Sequence, residues 1–71
     1  MLSWGKQLLT ARIVSGRTQA EAADELGFTP VTVSLWENDK QKPHPLHRCI
    51  VNLAVHEWLA EAGVVEDVVR S

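Results

Sequence analysis

The stretch Thr18–Glu37, TQAEAADELGFTPVTVSLWE, decides the fold. Its first half is a helix with both ends specified. Thr18 is an N-cap, and Glu21 three positions on completes a capping box in which hydroxyl and carboxylate each satisfy a free backbone N–H. Ala22, Ala23 and Leu26 share one face, while Glu21, Asp24 and Glu25 share the other. Gly27 supplies the positive φ that helix C-termini commonly need. Thr29 then caps a further helix, with Pro30 in its first turn and an end near Asn38-Asp39, which tolerate left-handed backbone. On a helical wheel Val33 and Trp36 face a core, and Val31, Ser34, Leu35 and Asn38 face away from it. Val31 and Leu35 are therefore apolar where water is expected. That face needs a purpose.

Working outward, a helix preceding this pair starts with Ser3 as N-cap and runs to about Ser15, with Trp4, Leu8, Leu9 and Ile13 as candidate buried residues and Gly16 as its end. After the pair, DKQKPHP (residues 39–45) reads as a basic loop. Pro45 opens a fourth helix that extends to Ala62 and stops at Gly63. VVEDVVRS (residues 64–71) spaces its valines for a short fifth helix. No run alternates with period two between turn residues, so strands are not expected. The fold class is all-α, a compact bundle of about five helices in a single domain, residues 1–71.

Composition narrows the function classes. A chain of 71 residues with 45% hydrophobic and 23% charged residues suits one small globular domain and argues against disorder. The single cysteine, Cys49, excludes an internal disulfide and fits a reducing compartment. No leader pattern and no membrane-length apolar run is seen, so a cytoplasmic protein, of a bacterium or a phage-infected cell, is expected. The net charge of −2 is unevenly placed. Through Arg48 the chain carries Lys6, Arg12, Arg17, Lys40, Lys42 and Arg48 against five acids, whereas Glu57, Glu61, Glu66 and Asp67 face only Arg70 afterwards. A nucleic-acid footprint fits the first two-thirds.

Two short helices around a glycine turn form a helix-turn-helix, and the spacing here is specific. Thr18, Gln19, Ala23, Gly27, Phe28, Thr29, Thr32, Val33, Ser34, Trp36 and Glu37 resemble the motif of the Cro/phage-repressor family (the xenobiotic-response-element type), motif residues 18–37. The resemblance implies a lambda-repressor-like fold and binding to the major groove of double-stranded DNA. It also implies that Arg12 and Glu37 form a structural ion pair. Gln19 would contact phosphate, and Asn38, Lys40, Lys42 and Arg17 would hold the backbone. The base-reading positions match Pro30, Val31 and Leu35, with Thr29 and Ser34 beside them and Thr32 on base or phosphate. Apolar side chains in a major groove read the thymine C5-methyl. That gives Val31 and Leu35 an expected role.

The fourth helix carries two apolar stripes. Leu46, Cys49, Ile50, Leu53 and Ala54 are read as the core stripe. Val51, Val55, Trp58, Leu59 and Ala62 are read as a homodimer interface, with residues 55–71 as the dimerisation tail and Trp58 as its anchor. His44, His47, Cys49 and His56 are read as ordinary surface and core residues, so no metal, cofactor, small-molecule effector or enzyme activity is expected. The expectation is a Cro-like repressor that binds a pseudo-palindromic operator as a homodimer and blocks transcription sterically. The alternatives are an antitoxin-type regulator whose tail binds a toxin, and a protein-interaction module that has lost DNA binding.

Overall fold

The computed structural model describes residues 2–63, and the proposed fifth helix at residues 64–71 lies outside them. Four helices follow in order: α1 (Trp4–Val14), α2 (Gln19–Leu26), α3 (Pro30–Glu37) and α4 (Pro45–Glu61). The caps are those the side chains dictate. Ser3 Oγ accepts from the Lys6 N–H at 3.2 Å. Thr18 Oγ1 accepts from Glu21 N–H at 3.1 Å, while Glu21 Oε1 accepts from Thr18 N–H at 3.0 Å, closing the capping box. Gly27, at φ 82°, lets the Phe28 N–H return to the Ala23 carbonyl at 2.9 Å. Thr29 Oγ1 accepts from Thr32 N–H at 3.2 Å. Asp39 ends α3 in the left-handed region at φ 57°. Its carboxylate accepts a 2.8 Å hydrogen bond from Ser3 Oγ, which ties the turn to the start of α1.

The core is built from all four helices: Leu8 and Ala11 of α1, Ala22, Ala23 and Leu26 of α2, Val33 and Trp36 of α3, Val51 and Trp58 of α4. Trp36 is its hub. Phe28 and Trp4 meet it edge-on, with ring centroids 4.8 and 6.0 Å away, a favoured aromatic geometry. Gly5 is buried where α1 crosses the end of α3, and a Cβ there would collide with the Trp36 carbonyl oxygen and the Asp39 carboxylate. The crossing is therefore closer than any other residue at position 5 permits.

Two core assignments are corrected. Ile13 is 60% exposed: α1 turns Gly5, Leu8 and Ala11 inward, and Ile13 lies off that line. In α4 the two stripes are exchanged. Val51 and Trp58 are buried, Val55 and Leu59 pack against the core, and Ala62 is exposed. Leu46, Ile50 and Leu53 of the expected core stripe stand exposed, as does Cys49, and only Ala54 of that stripe packs inward. The reason is reach. The core runs along most of α4, and only Val51, Val55, Trp58 and Leu59 carry apolar side chains down to its last turns. Val51 and Trp58, both buried, accordingly offer no surface for a dimer interface, and Val55 and Leu59 are only partly open.

Candidate nucleic-acid interface

The orientation of α3 is fixed by one carboxylate. Glu37, 2% exposed, accepts from Arg12 Nε at 2.6 Å and from Arg12 Nη2 at 3.1 Å. A third donor, Gln19 Nε2, reaches the same carboxylate at 3.1 Å, and Arg12 Nη1 also donates to the Arg17 carbonyl at 3.0 Å. One buried charge thus joins α1, α2 and α3 with bidentate geometry, the arrangement in which such pairs hold best.

With its inner face locked, α3 turns the other face to solvent. Val31 is 68% exposed, Pro30 is exposed, and Thr32, Ser34 and Leu35 are half-buried. Pro30, Val31, Ser34 and Leu35 line a shallow depression whose opposite wall is Gln19, at the start of α2. The hydroxyls are pre-positioned: Thr29 Oγ1 and Thr32 Oγ1 lie 3.0 Å apart. Asn38 Nδ2 donates to the Ser34 carbonyl at 2.8 Å and lies 3.5 Å from Ser34 Oγ, which holds the amide at the end of the outer face. Gln19 is placed similarly, with one amide hydrogen on Glu37 and a first-turn backbone N–H that helix geometry leaves free. Its position at the positive end of α2 suits an anion.

Lys40 and Lys42 are exposed beside the end of α3, and neither enters an ion pair among the described residues. Arg48, to which the sequence reading gave no role, shares a depression with Lys42, Gln41 and Trp4. Its guanidinium lies 5.7 Å from the Trp4 ring centroid. A basic side chain one turn into α4, near a basic loop, was the available signal.

Arg17 is the misassigned residue. It donates through Nη2 to Glu25 and to Glu61, both at 3.0 Å, and its guanidinium covers the Trp58 ring at 4.9 Å. The hydrogen bonds that Arg17 donates to Glu25 raise its already high pKa, and in return Arg17 lowers that of Glu25. Arg17 clamps α2 to α4 instead of reaching for phosphate. Glu21 is also lowered, because its carboxylate accepts the Thr18 backbone N–H.

Two of the three histidines have structural contacts, and His56 is exposed. His44 Nδ1 caps α4 by accepting from the Leu46 N–H at 3.1 Å, and His47 packs edge-on against Phe28 with centroids 4.9 Å apart. Among the described residues no group of histidine, cysteine and carboxylate gathers that could hold a metal ion, and no helix is long and apolar enough to cross a membrane.

A locked helix with an open outer face, set beside a second helix N-terminus and a basic loop, is the geometry of a helix-turn-helix. The family model for helix-turn-helix proteins of the Cro/C1 type matches residues 8–46, more than half of the chain. The chain belongs to that family, as a lambda-repressor-like all-α DNA-binding domain of the kind found in transcriptional regulators, with no enzymatic function. No curated protein and no solved structure matches it.

Proposed function

We propose that this chain is a Cro-like repressor that reads a pseudo-palindromic operator as a homodimer and excludes polymerase from an overlapping promoter. The observation carrying the proposal is the outer face of α3, where Val31 stands 68% exposed among Thr32, Ser34 and Leu35 while the opposite face is locked through Glu37. Inserted in a major groove, that face offers methyl groups to thymine methyls and hydroxyls to the base edges and phosphates flanking them. Thr29 and Pro30 sit at the helix start, where base contacts concentrate in this docking geometry. Gln19 grips a phosphate from the α2 N-terminus, and Asn38, Lys40 and Lys42 grip the backbone on the other side. Phosphate contacts fix register and carry most of the affinity, while few bidentate base contacts leave much of the discrimination to DNA shape.

Selection of bound sites from a random duplex pool at moderate salt tests this reading. A thymine-containing inverted repeat is the expected result. No enrichment even at low salt would refute DNA reading and leave the outer face of α3 to a protein.

A further inference from the structure

From Pro30 to Leu35, α3 carries no amide side chain and no charged one: the run is Pro30, Val31, Thr32, Val33, Ser34 and Leu35. This limits what its outer face can distinguish. Arginine, asparagine and glutamine identify a base through donors and acceptors fixed on particular atoms. A hydroxyl has no such fixed sense, since it donates or accepts as its partner requires. Thr29 Oγ1 and Thr32 Oγ1 lie 3.0 Å apart with either able to donate, so what approaches them sets their polarity. The two nearby amides are engaged within the protein, Gln19 Nε2 on the Glu37 carboxylate and Asn38 Nδ2 on the Ser34 carbonyl.

Shape is what this face holds constant. Pro30, Val31 and Leu35 give apolar walls to a depression that Gln19 and Ser34 complete. In the major groove the apolar projection from a base is the pyrimidine C5-methyl. Thymine always carries one, and cytosine carries one when methylated at C5. At position 4 thymine presents an acceptor and cytosine a donor, and the paired adenine and guanine differ in the reverse sense at position 6. A hydroxyl that can turn either way accommodates both patterns.

We propose that this face reads the C5-methyl of a pyrimidine, and that 5-methylcytosine paired with guanine is bound in place of thymine paired with adenine. The inference rests on the DNA-reading function proposed above and adds to it a ligand class, DNA methylated at cytosine C5. A site with cytosine at the read position is held weakly when unmodified and more tightly once methylated. Binding then responds to a chemical mark without a change in base sequence. Burying one methyl contributes about fourfold in affinity, and about fifteenfold where each half of an inverted repeat supplies one.

Fluorescence anisotropy of the full chain on four duplexes tests the proposal. The duplexes share the site recovered from the random pool and differ at one of its thymines, taken in turn. That position carries thymine or deoxyuridine opposite adenine, or 5-methylcytosine or cytosine opposite guanine. Deoxyuridine lacks only the methyl. At the read position the two methylated duplexes should bind alike, and the two unmethylated ones about fourfold more weakly. Val31→Ala, with its melting transition measured alongside, should bring the four affinities together. Equal binding of thymine and deoxyuridine at every position overturns the proposal. So does a loss with deoxyuridine that 5-methylcytosine does not recover over cytosine, because donors of fixed sense are then reading the base. A methyl preference that survives Val31→Ala overturns the assignment to this face. The two readings fail separately: an enriched site indifferent to methylation refutes the inference and leaves DNA reading standing, whereas no enrichment from the pool removes both.

Discussion

The outer faces of α3 and α4 both expose large aliphatic side chains to water, yet they are built for different surfaces. On α3, Val31 and Leu35 are interleaved with Thr32 and Ser34, and the neighbours are Lys40, Lys42 and a helix N-terminus. Every apolar group has a polar one within a turn. On α4, Leu46, Ile50 and Leu53 follow one another with Cys49 between them, and the charge at the far end is the acidic Glu57. A base-pair edge is a mixed surface of methyls, donors and acceptors lying in a strongly negative field, and the α3 face matches it. The α4 face groups its aliphatic side chains together, with Arg48 and Asn52 at the border of the depression that Cys49 and Leu53 line. Exposed hydrophobicity is thus not one signal; the residues between the apolar ones determine what it binds.

The largest effects that test this contrast come from the inner faces, which should carry folding where the outer ones do not. Trp58→Ala should cost about 3–5 kcal/mol in chemical denaturation, against under about 0.5 kcal/mol for Leu53→Ala measured at monomer concentrations. Equal costs would erase the assignment of the two α4 faces. Glu37→Ala leaves Arg12 without its carboxylate and should cost about 3–5 kcal/mol, while Val31→Glu should leave stability nearly unchanged and remove DNA binding.

Smaller changes sharpen the picture. Replacing both Lys40 and Lys42 by alanine should weaken binding to all sequences and lower the slope of log affinity against log salt by about 2. An unchanged slope would place the phosphate contacts elsewhere. Val31→Ala should lose about 1 kcal/mol of preference at one T·A pair with little change at other positions, as read by repeating the site selection. The smallest effect is on pH dependence. Glu21 and Glu25 both have pKa values below their ordinary 4.5 in the folded chain. Their contribution is therefore complete above pH 4.5 and disappears as pH falls through the lowered folded values. Melting temperature should be flat from neutrality to about pH 5 and decline below it, and Glu21→Gln should make the decline shallower.

The helix boundaries could be read from residues with local meaning. Thr18 with Glu21, Gly27, and Thr29 with Pro30 act on backbone groups within a turn of themselves, and each does so in the structure. Register within α3 was also readable, because Trp36 and Val33 leave only one face for Val31. What could not be read depended on neighbours distant in sequence. The choice between two apolar stripes on α4 turns on how far the core extends, which no property of α4 reveals. Arg17 looks like any loop arginine until Glu25 and Glu61 converge on it from two helices. Gly5 was overlooked because its function, admitting the Trp36 carbonyl, exists only once α1 crosses α3.

The three-donor grip on Glu37 has a consequence for how such a protein changes over time. Because α3 is positioned from behind, its exposed forward residues Pro30 and Val31 take little part in the core and can be exchanged without rebuilding it. Pro30 and Val31 then behave as a cartridge held in a fixed socket, with the half-buried Thr32, Ser34 and Leu35 at its edge. Under the proposed function, exchanging the cartridge changes what is read, while a change in the socket, at Arg12, Gln19 or Glu37, disturbs the placement of α3 itself.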